Sequence, residues 1–144
     1  MVTDGDYVMA NNYGYSKSLY ESCRARGCRL VYASSASVYG AGSDFRVERV
    51  AEKPINVYAY SKFLFDQSRR RHRTSMKSQV VGLRYFNVYG PGEAHKAGMA
   101  SVIWHFHGQL QNGDTVRLFE GSDGYGPGEQ RRDFIHVDDV AAVN

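Results

Sequence analysis

An alternation of helical and extended segments predicts an α/β fold for this 144-residue chain. Two observations carry the prediction. The segments run helix, strand, helix, strand, helix, strand, helix, the order that a parallel sheet with right-handed crossovers requires. The stretch Gln79-Val80-Val81-Gly82-Leu83-Arg84-Tyr85 is apolar enough to be buried on both faces, as strands of parallel sheets are.

Each element has its own signal. Val8 to Arg26 reads as a helix, with Val8, Met9, Leu19 and Cys23 on a rough 3.6 period and Gly27 as its stop. Arg29 to Ala33 is a short apolar strand, followed by a polar, glycine-containing loop from Ser35 to Asn56. Val57 to Arg71 is a second helix with Asn56 as its cap, and 79–85 is the second strand. Phe86 to Gly98 is a loop around Pro91. Ala100 to Gln111 is a third helix, closed by Asn112-Gly113. Val116 to Glu120 is a third strand. Gly121 to Gln130 holds four glycines and a proline and reads as a flexible insert. Asp138 or Asp139 caps a last helix.

The bulk composition narrows the class. With 42% hydrophobic and 23% charged residues, the chain suits one globular domain. No apolar run approaches the roughly 18 residues that span a membrane, and Met1 to Asp6 lacks the basic and apolar segments of a signal peptide. Cys23 and Cys28 have no nearby metal-ligand partners and read as thiols of a reducing cytoplasm. The net charge of +3 owes much to Arg69-Arg70-Arg71-His72-Arg73 and Arg131-Arg132. The first run closes a helix, where cations suit the dipole, and it lacks interleaved aromatics, so no nucleic-acid partner is implied.

Chemistry concentrates at Tyr58 and Lys62, four apart on one helix face. A lysine cation beside a phenol favours its ionised form, which a tyrosine base needs. Ser35, at the end of the strand upstream, offers a hydroxyl to hold a substrate oxygen. Tyr13 and Lys17 repeat the spacing but have no serine-bearing strand before them, so they read as structural. His105 and His107, two apart on a helix, face different ways and make no metal site. The glycines at 121, 124, 126 and 128 lack the lysine and helix start of a phosphate loop. A dinucleotide-binding α/β domain opens with a strand, a glycine-rich turn and a helix. No G-x-G-x-x-G occurs here, and the chain reads as the middle of a longer protein.

A serine-bearing strand end, then Tyr58-Ala59-Tyr60-Ser61-Lys62, then Arg84-Tyr85-Phe86-Asn87-Val88-Tyr89-Gly90-Pro91, resembles the extended short-chain dehydrogenases/reductases that act on nucleotide sugars. Together with His95-Lys96, Met99-Ala100-Ser101-Val102, Leu118-Phe119-Glu120-Gly121-Ser122 and Arg131-Arg132-Asp133-Phe134, it is similar to the branch that inverts C6 of an ADP-linked heptose in lipopolysaccharide core biosynthesis. The resemblance implies a partial Rossmann-like doubly wound sheet lacking its N-terminal strands. Residues 1–90 would form the C-terminal part of an NAD(P)-binding domain, and 91–144 part of the substrate-binding region and the return to the sheet. It implies an ADP-sugar substrate, NADP (with NAD not excluded) and a homo-oligomeric parent protein.

The resemblance also implies roles. Tyr58 and Lys96 exchange protons on the two sides of C6, Ser35 orients the reacting oxygen and Lys62 holds the cofactor ribose. Asn11, Val88 and Lys96 join Lys62 as cofactor contacts. Asn87, His105, Phe119, Glu120, Gly121, Ser122 and Arg132 contact the substrate, with Arg132 clamping its diphosphate. Gly98 stands where the family has a serine, and the insert 123–131 is longer than expected, which puts the position of Arg132 in question. Two alternatives stand beside this: a UDP-hexose 4-epimerase or dehydratase of the same superfamily, and a catalytically incompetent truncated chain.

Overall fold

The computed structural model describes residues 4–75, 77–122 and 124–144. Met1–Thr3, Met76 and Asp123, the last within the expected insert, lie outside the described residues. The chain forms two compact units, Met1–Tyr85 and Phe86–Asn144. None of the helices among the described residues is long and apolar enough to cross a membrane.

The first unit opens with a helix that starts three residues before the expected Val8. Its first stretch, α1 (Gly5–Val8), exists because the Asp4 carboxylate accepts the backbone N–H groups of Asp6 and Tyr7 at 3.0 and 3.1 Å. A π-helical turn, Met9–Gly14, interrupts the α-helical period before α2 (Tyr15–Arg26) resumes it. The stop at Gly27 is as expected: its φ of 68° is the left-handed geometry that glycine adopts without strain. Strand β1 (Leu30–Ser35) comes next, and 3-10 turns at Ala36–Tyr39 and Arg49–Ala51 order parts of what reads as loop.

Helix α3 (Val57–Arg71) has the expected bounds, and the Asn56 side chain accepts the Ala59 N–H at 2.8 Å. Its chain then turns into β2 (Val80–Tyr85), which pairs with β1 in parallel from Leu30↔Val80 to Ser35↔Tyr85. The expectation that β2 is buried on both faces is not met, since all six residues are half-buried. A two-stranded sheet packed by α3 on one side leaves the other side open. Val31 on β1 is accordingly 42% exposed. The core lies on the helix side. Val38, Tyr39, Ala51 and Phe63 form one buried cluster, while Tyr20 and Phe65 meet edge-to-face with Tyr32 beyond them.

The second unit differs most from the sequence-based expectation. The loop 86–98 contains a strand, β3 (Asn87–Tyr89), and a 3-10 segment, Glu93–Met99. Helix α4 (Val102–Gln111) is capped by Ser101, whose Oγ accepts the Trp104 N–H at 3.1 Å. The expected strand 116–120 is absent. Its backbone groups bond elsewhere: Arg117 N–H donates to Gln109 Oε1, and Phe119 C=O accepts from Gly128 N–H. With no neighbouring strand, an extended segment forms no ladder. The strand that does form is β4 (Phe134–His136), parallel to β3 with Asn87↔Phe134 and Tyr89↔His136 in register. Helix α5 (Val137–Val143) is capped by His136, which accepts the Asp138 N–H through Nδ1; Asp138 and Asp139 fill its first turn instead of capping it.

Candidate active site

In the first unit, Tyr58 and Lys62 do share one face of α3. Lys62 Nζ stands 5.9 Å from the Tyr58 ring centroid and donates to the Ala33 carbonyl at 3.1 Å, near the C-terminal end of β1. Burial pulls the Lys62 pKa below its ordinary value, with the Asp66 carboxylate opposing that shift. Tyr58 is 46% exposed and so open to a ligand. Ser35 ends β1, where its Oγ accepts the Ser37 N–H and hydroxyl at 3.2 and 2.8 Å, capping the adjoining 3-10 turn.

The π turn supplies a contact that sequence reasoning missed. Asn12 Nδ2 donates to Ser61 Oγ at 3.2 Å, and Ser61 Oγ donates to the Tyr58 carbonyl at 2.7 Å. Asn12 therefore holds the stretch between Tyr58 and Lys62, while its neighbour Asn11, the expected cofactor contact, faces solvent. Tyr13 of the other Tyr-x-x-x-Lys lies inside the π turn and Lys17 beyond it in α2.

A buried ionic network, also missed, pins α3 to the sheet. Asp66 accepts from Tyr32 OH at 2.8 Å, Ser34 Oγ at 2.9 Å and Arg84 NH2 at 2.9 Å. Arg84 also bonds Glu52, which accepts from Arg70 at 2.6 and 2.8 Å and from Gln67 at 2.9 Å. Burial works against the Glu52 charge, but the Arg70 and Arg84 bonds outweigh it and hold its pKa below the usual range. No local spacing marks these residues; they meet only in the fold.

The second unit has a cavity of about 850 Å³. Asn87, Val88, Lys96, Phe119, Glu120, Gly121, Ser122 and Arg132 are among its lining residues. The insert thus leaves Arg132 on the cavity wall. Arg132 NH1 donates to the Arg131 carbonyl at 2.9 Å and Asn87 Nδ2 to the Asp133 carbonyl at 2.9 Å. His105 is the exception. It lines a smaller depression of about 430 Å³, shared with Gly98 and Phe119. A Cβ on Gly98 would meet nothing within 4 Å, so a serine fits there sterically. Gln130 and Gly128, from the insert, also line the larger cavity. Gln130 Nε2 donates to the Glu120 carbonyl at 2.6 Å, closing the insert back onto 119–120. Groups of three His, Cys, Asp or Glu side chains able to hold a metal ion are absent among the described residues.

The profile of the NAD dependent epimerase/dehydratase family matches residues 1–144. The chain is 57% identical over 144 residues to ADP-L-glycero-D-manno-heptose-6-epimerase of Thiobacillus denitrificans, covering 100% of itself and 43% of that protein. It is similar to the crystal structure of the Helicobacter pylori ADP-L-glycero-D-manno-heptose-6-epimerase, with a TM-score of 0.87 and 38% identity over 100% of this chain and 43% of that one. It is also similar to the UDP-N-acetylglucosamine 4-epimerase of Methanobrevibacter ruminantium, with a TM-score of 0.79 and 29% identity over 94% of this chain and 42% of that one. The chain spans less than half the length of these relatives.

Proposed function

The chain belongs to the NAD dependent epimerase/dehydratase family, and from that premise we propose that it carries the proton-transfer and sugar-binding groups of a nucleotide-sugar epimerase. The fold is Rossmann-like, like that of its structural relatives. The substrate is ADP-glycero-manno-heptose, a precursor for lipopolysaccharide core, and the reaction inverts C6. The alcohol is oxidised to a ketone and reduced again on its opposite face, with NADP as the cofactor. Residues 1–90 form the C-terminal part of an NAD(P)-binding domain, and 91–144 part of the substrate-binding region and the return to the sheet. The observation that carries this reading is the position of Lys96 on the cavity wall with Glu120, Gly121, Ser122 and Arg132. That cavity pairs a proton-transfer group with the polar and cationic groups a sugar diphosphate needs.

The residues present fit the nicotinamide-ribose end of a dinucleotide. A half-buried ammonium and an exposed phenol stand by the C-terminal ends of two parallel strands, where α/β sheets take ligands. Lys62 would hold the ribose hydroxyls, with Asn11, Val88 and Lys96 as further contacts. The chemistry that a bound nicotinamide supplies is reversible acceptance of a hydride. Tyr58 takes the proton from the C6 hydroxyl as the alcohol becomes a ketone, and Ser35 Oγ donates a hydrogen bond to that oxygen. Lys96 Nζ gives a proton to the ketone oxygen as the inverted alcohol forms. Substrate and product differ only in configuration, so the reaction consumes no net oxidant. Asn87, His105, Phe119 and Glu120 to Ser122 orient the sugar nucleotide, and the planar guanidinium of Arg132 binds its diphosphate.

The test uses Tyr58→Phe and Lys96→Ala in the whole protein, with interconversion of the two ADP-heptose epimers as readout. Each variant should lose about 100-fold or more in turnover, the scale of a lost general acid or base. Unchanged turnover in both sinks the two-sided mechanism. The likeness to a UDP-N-acetylglucosamine 4-epimerase favours a second reading, epimerisation at C4 of a UDP-hexose. Turnover of UDP-hexoses in preference to ADP-heptose would select it.

A further inference from the structure

Among the described residues of the second unit, the one buried side chain is a carboxylate, Glu93, at 4% exposure. Its Oε1 accepts the Gly90 N–H at 3.1 Å and the Ser101 hydroxyl at 2.8 Å, and its Oε2 accepts the Ser101 N–H at 2.7 Å. Gly90 comes directly after β3 and Ser101 caps α4. One acid therefore closes the segment between those elements into a loop. Lys96 lies within that loop, its Nζ 3.6 Å from Glu93 Oε2, and both residues line the cavity.

We propose that Glu93 is a positioning residue for Lys96, fixing the loop at both ends and holding the ammonium against the cavity wall. This rests on the role given to Lys96 above. Three donors and a cation converge on two oxygens, an arrangement that only an acceptor-only carboxylate satisfies in full. A glutamine must turn an NH2 group towards one of them. The backbone just after Lys96 points the same way. Ala97 has φ 48° and ψ −126°, and is the one non-glycine with positive φ among the described residues. Such a backbone persists only where its surroundings hold it. The Ala100 N–H donates to the Ala97 carbonyl at 3.1 Å, and the next residue is Ser101, bonded to Glu93. Burial opposes the Glu93 charge, but the bonds from Ser101 and Gly90, with the Lys96 cation, bring its pKa down to about 2.

The experiment is a double-mutant cycle in the whole protein, with Glu93→Gln and Lys96→Met alone and together. The kcat and KM for ADP-heptose epimer interconversion are the readout. Glu93→Gln should lower kcat about tenfold with KM nearly constant, and this factor should fall to about twofold or less in the Lys96→Met background, because coupled residues are not additive. A merely structural role predicts the same factor in both backgrounds, and that result overturns the proposal. Intact turnover in Lys96→Met overturns the two-sided mechanism and, with it, the role of Glu93. If Glu93→Gln does not fold, the same cycle with Glu93→Asp, which keeps the charge and withdraws it by one methylene, applies the same criterion.

Discussion

Lys62 donates from Nζ to the carbonyl of Ala33 at 3.1 Å, which ties the helix of the Tyr-x-x-x-Lys pair to the strand that ends at Ser35. The bond orients the ammonium more than it stabilises the fold, since burial disfavours the Lys62 charge. Lys62→Met should therefore lower kcat/KM for epimer interconversion by about 100-fold or more, while the urea midpoint changes little. A large fall in the midpoint with catalysis intact would reverse that assignment.

Arg84 carries the opposite balance. Its side chain is 9% exposed and bonds both Glu52 and Asp66. Arg84→Met removes the cation that two buried carboxylates share, leaving Glu52 with Arg70 and Gln67 and Asp66 with the Tyr32 and Ser34 hydroxyls, and should cost roughly 3 kcal/mol of stability in urea unfolding.

The cap of α3 is a smaller, local term. Asn56 Oδ1 accepts the Ala59 N–H at 2.8 Å, so Asn56→Ala should destabilise the chain by about 1 kcal/mol and Asn56→Asp should restore most of it. Thermal or urea unfolding reads both.

Glu93 predicts a pH dependence with a definite sign. Its pKa falls from the usual 4.5 to about 2 on folding. A carboxyl whose folded value is the lower one contributes stability above the unfolded value and loses it as pH falls through the folded one. The gap in unfolding midpoint between the unsubstituted chain and Glu93→Gln should thus be full at neutral pH and close between about pH 4.5 and pH 2. A gap that does not narrow there contradicts the assignment.

Local signals reached α3 fully: a capping asparagine, a helical period and the Tyr58–Lys62 spacing all lie within one segment. They reached Ser35 because it ends an apolar run. They failed where partners are distant in sequence. Arg84 meets Asp66 from 18 residues away and Glu52 from 32, so nothing near any of them announces a network. Strands β3 and β4 have three residues each, too few to show an alternation. Val116 to Glu120 misled because Leu118 and Phe119, 59% and 63% exposed, are apolar for the sake of a cavity and not of a sheet. The candidate site residues of the second unit were visible only through the resemblance, and that route did not point to Glu93 or Gln130, which also line the cavity.

The π turn at Met9–Gly14 acts as a phase shifter. One extra residue in a turn rotates the helix before it by about 100° relative to the helix after it, so α1 and α2 are one rod with two azimuths. Which asparagine of the Asn11-Asn12 pair reaches Ser61 is decided by that offset, not by either side chain. Deleting a single residue here would keep the rod and turn its first segment away from Val57, whose Cγ atoms a Cβ added at Gly5 would meet at 3.7 and 3.8 Å. Length variation in this stretch is therefore expressed as rotation, and its cost falls on the helix that bears Tyr58.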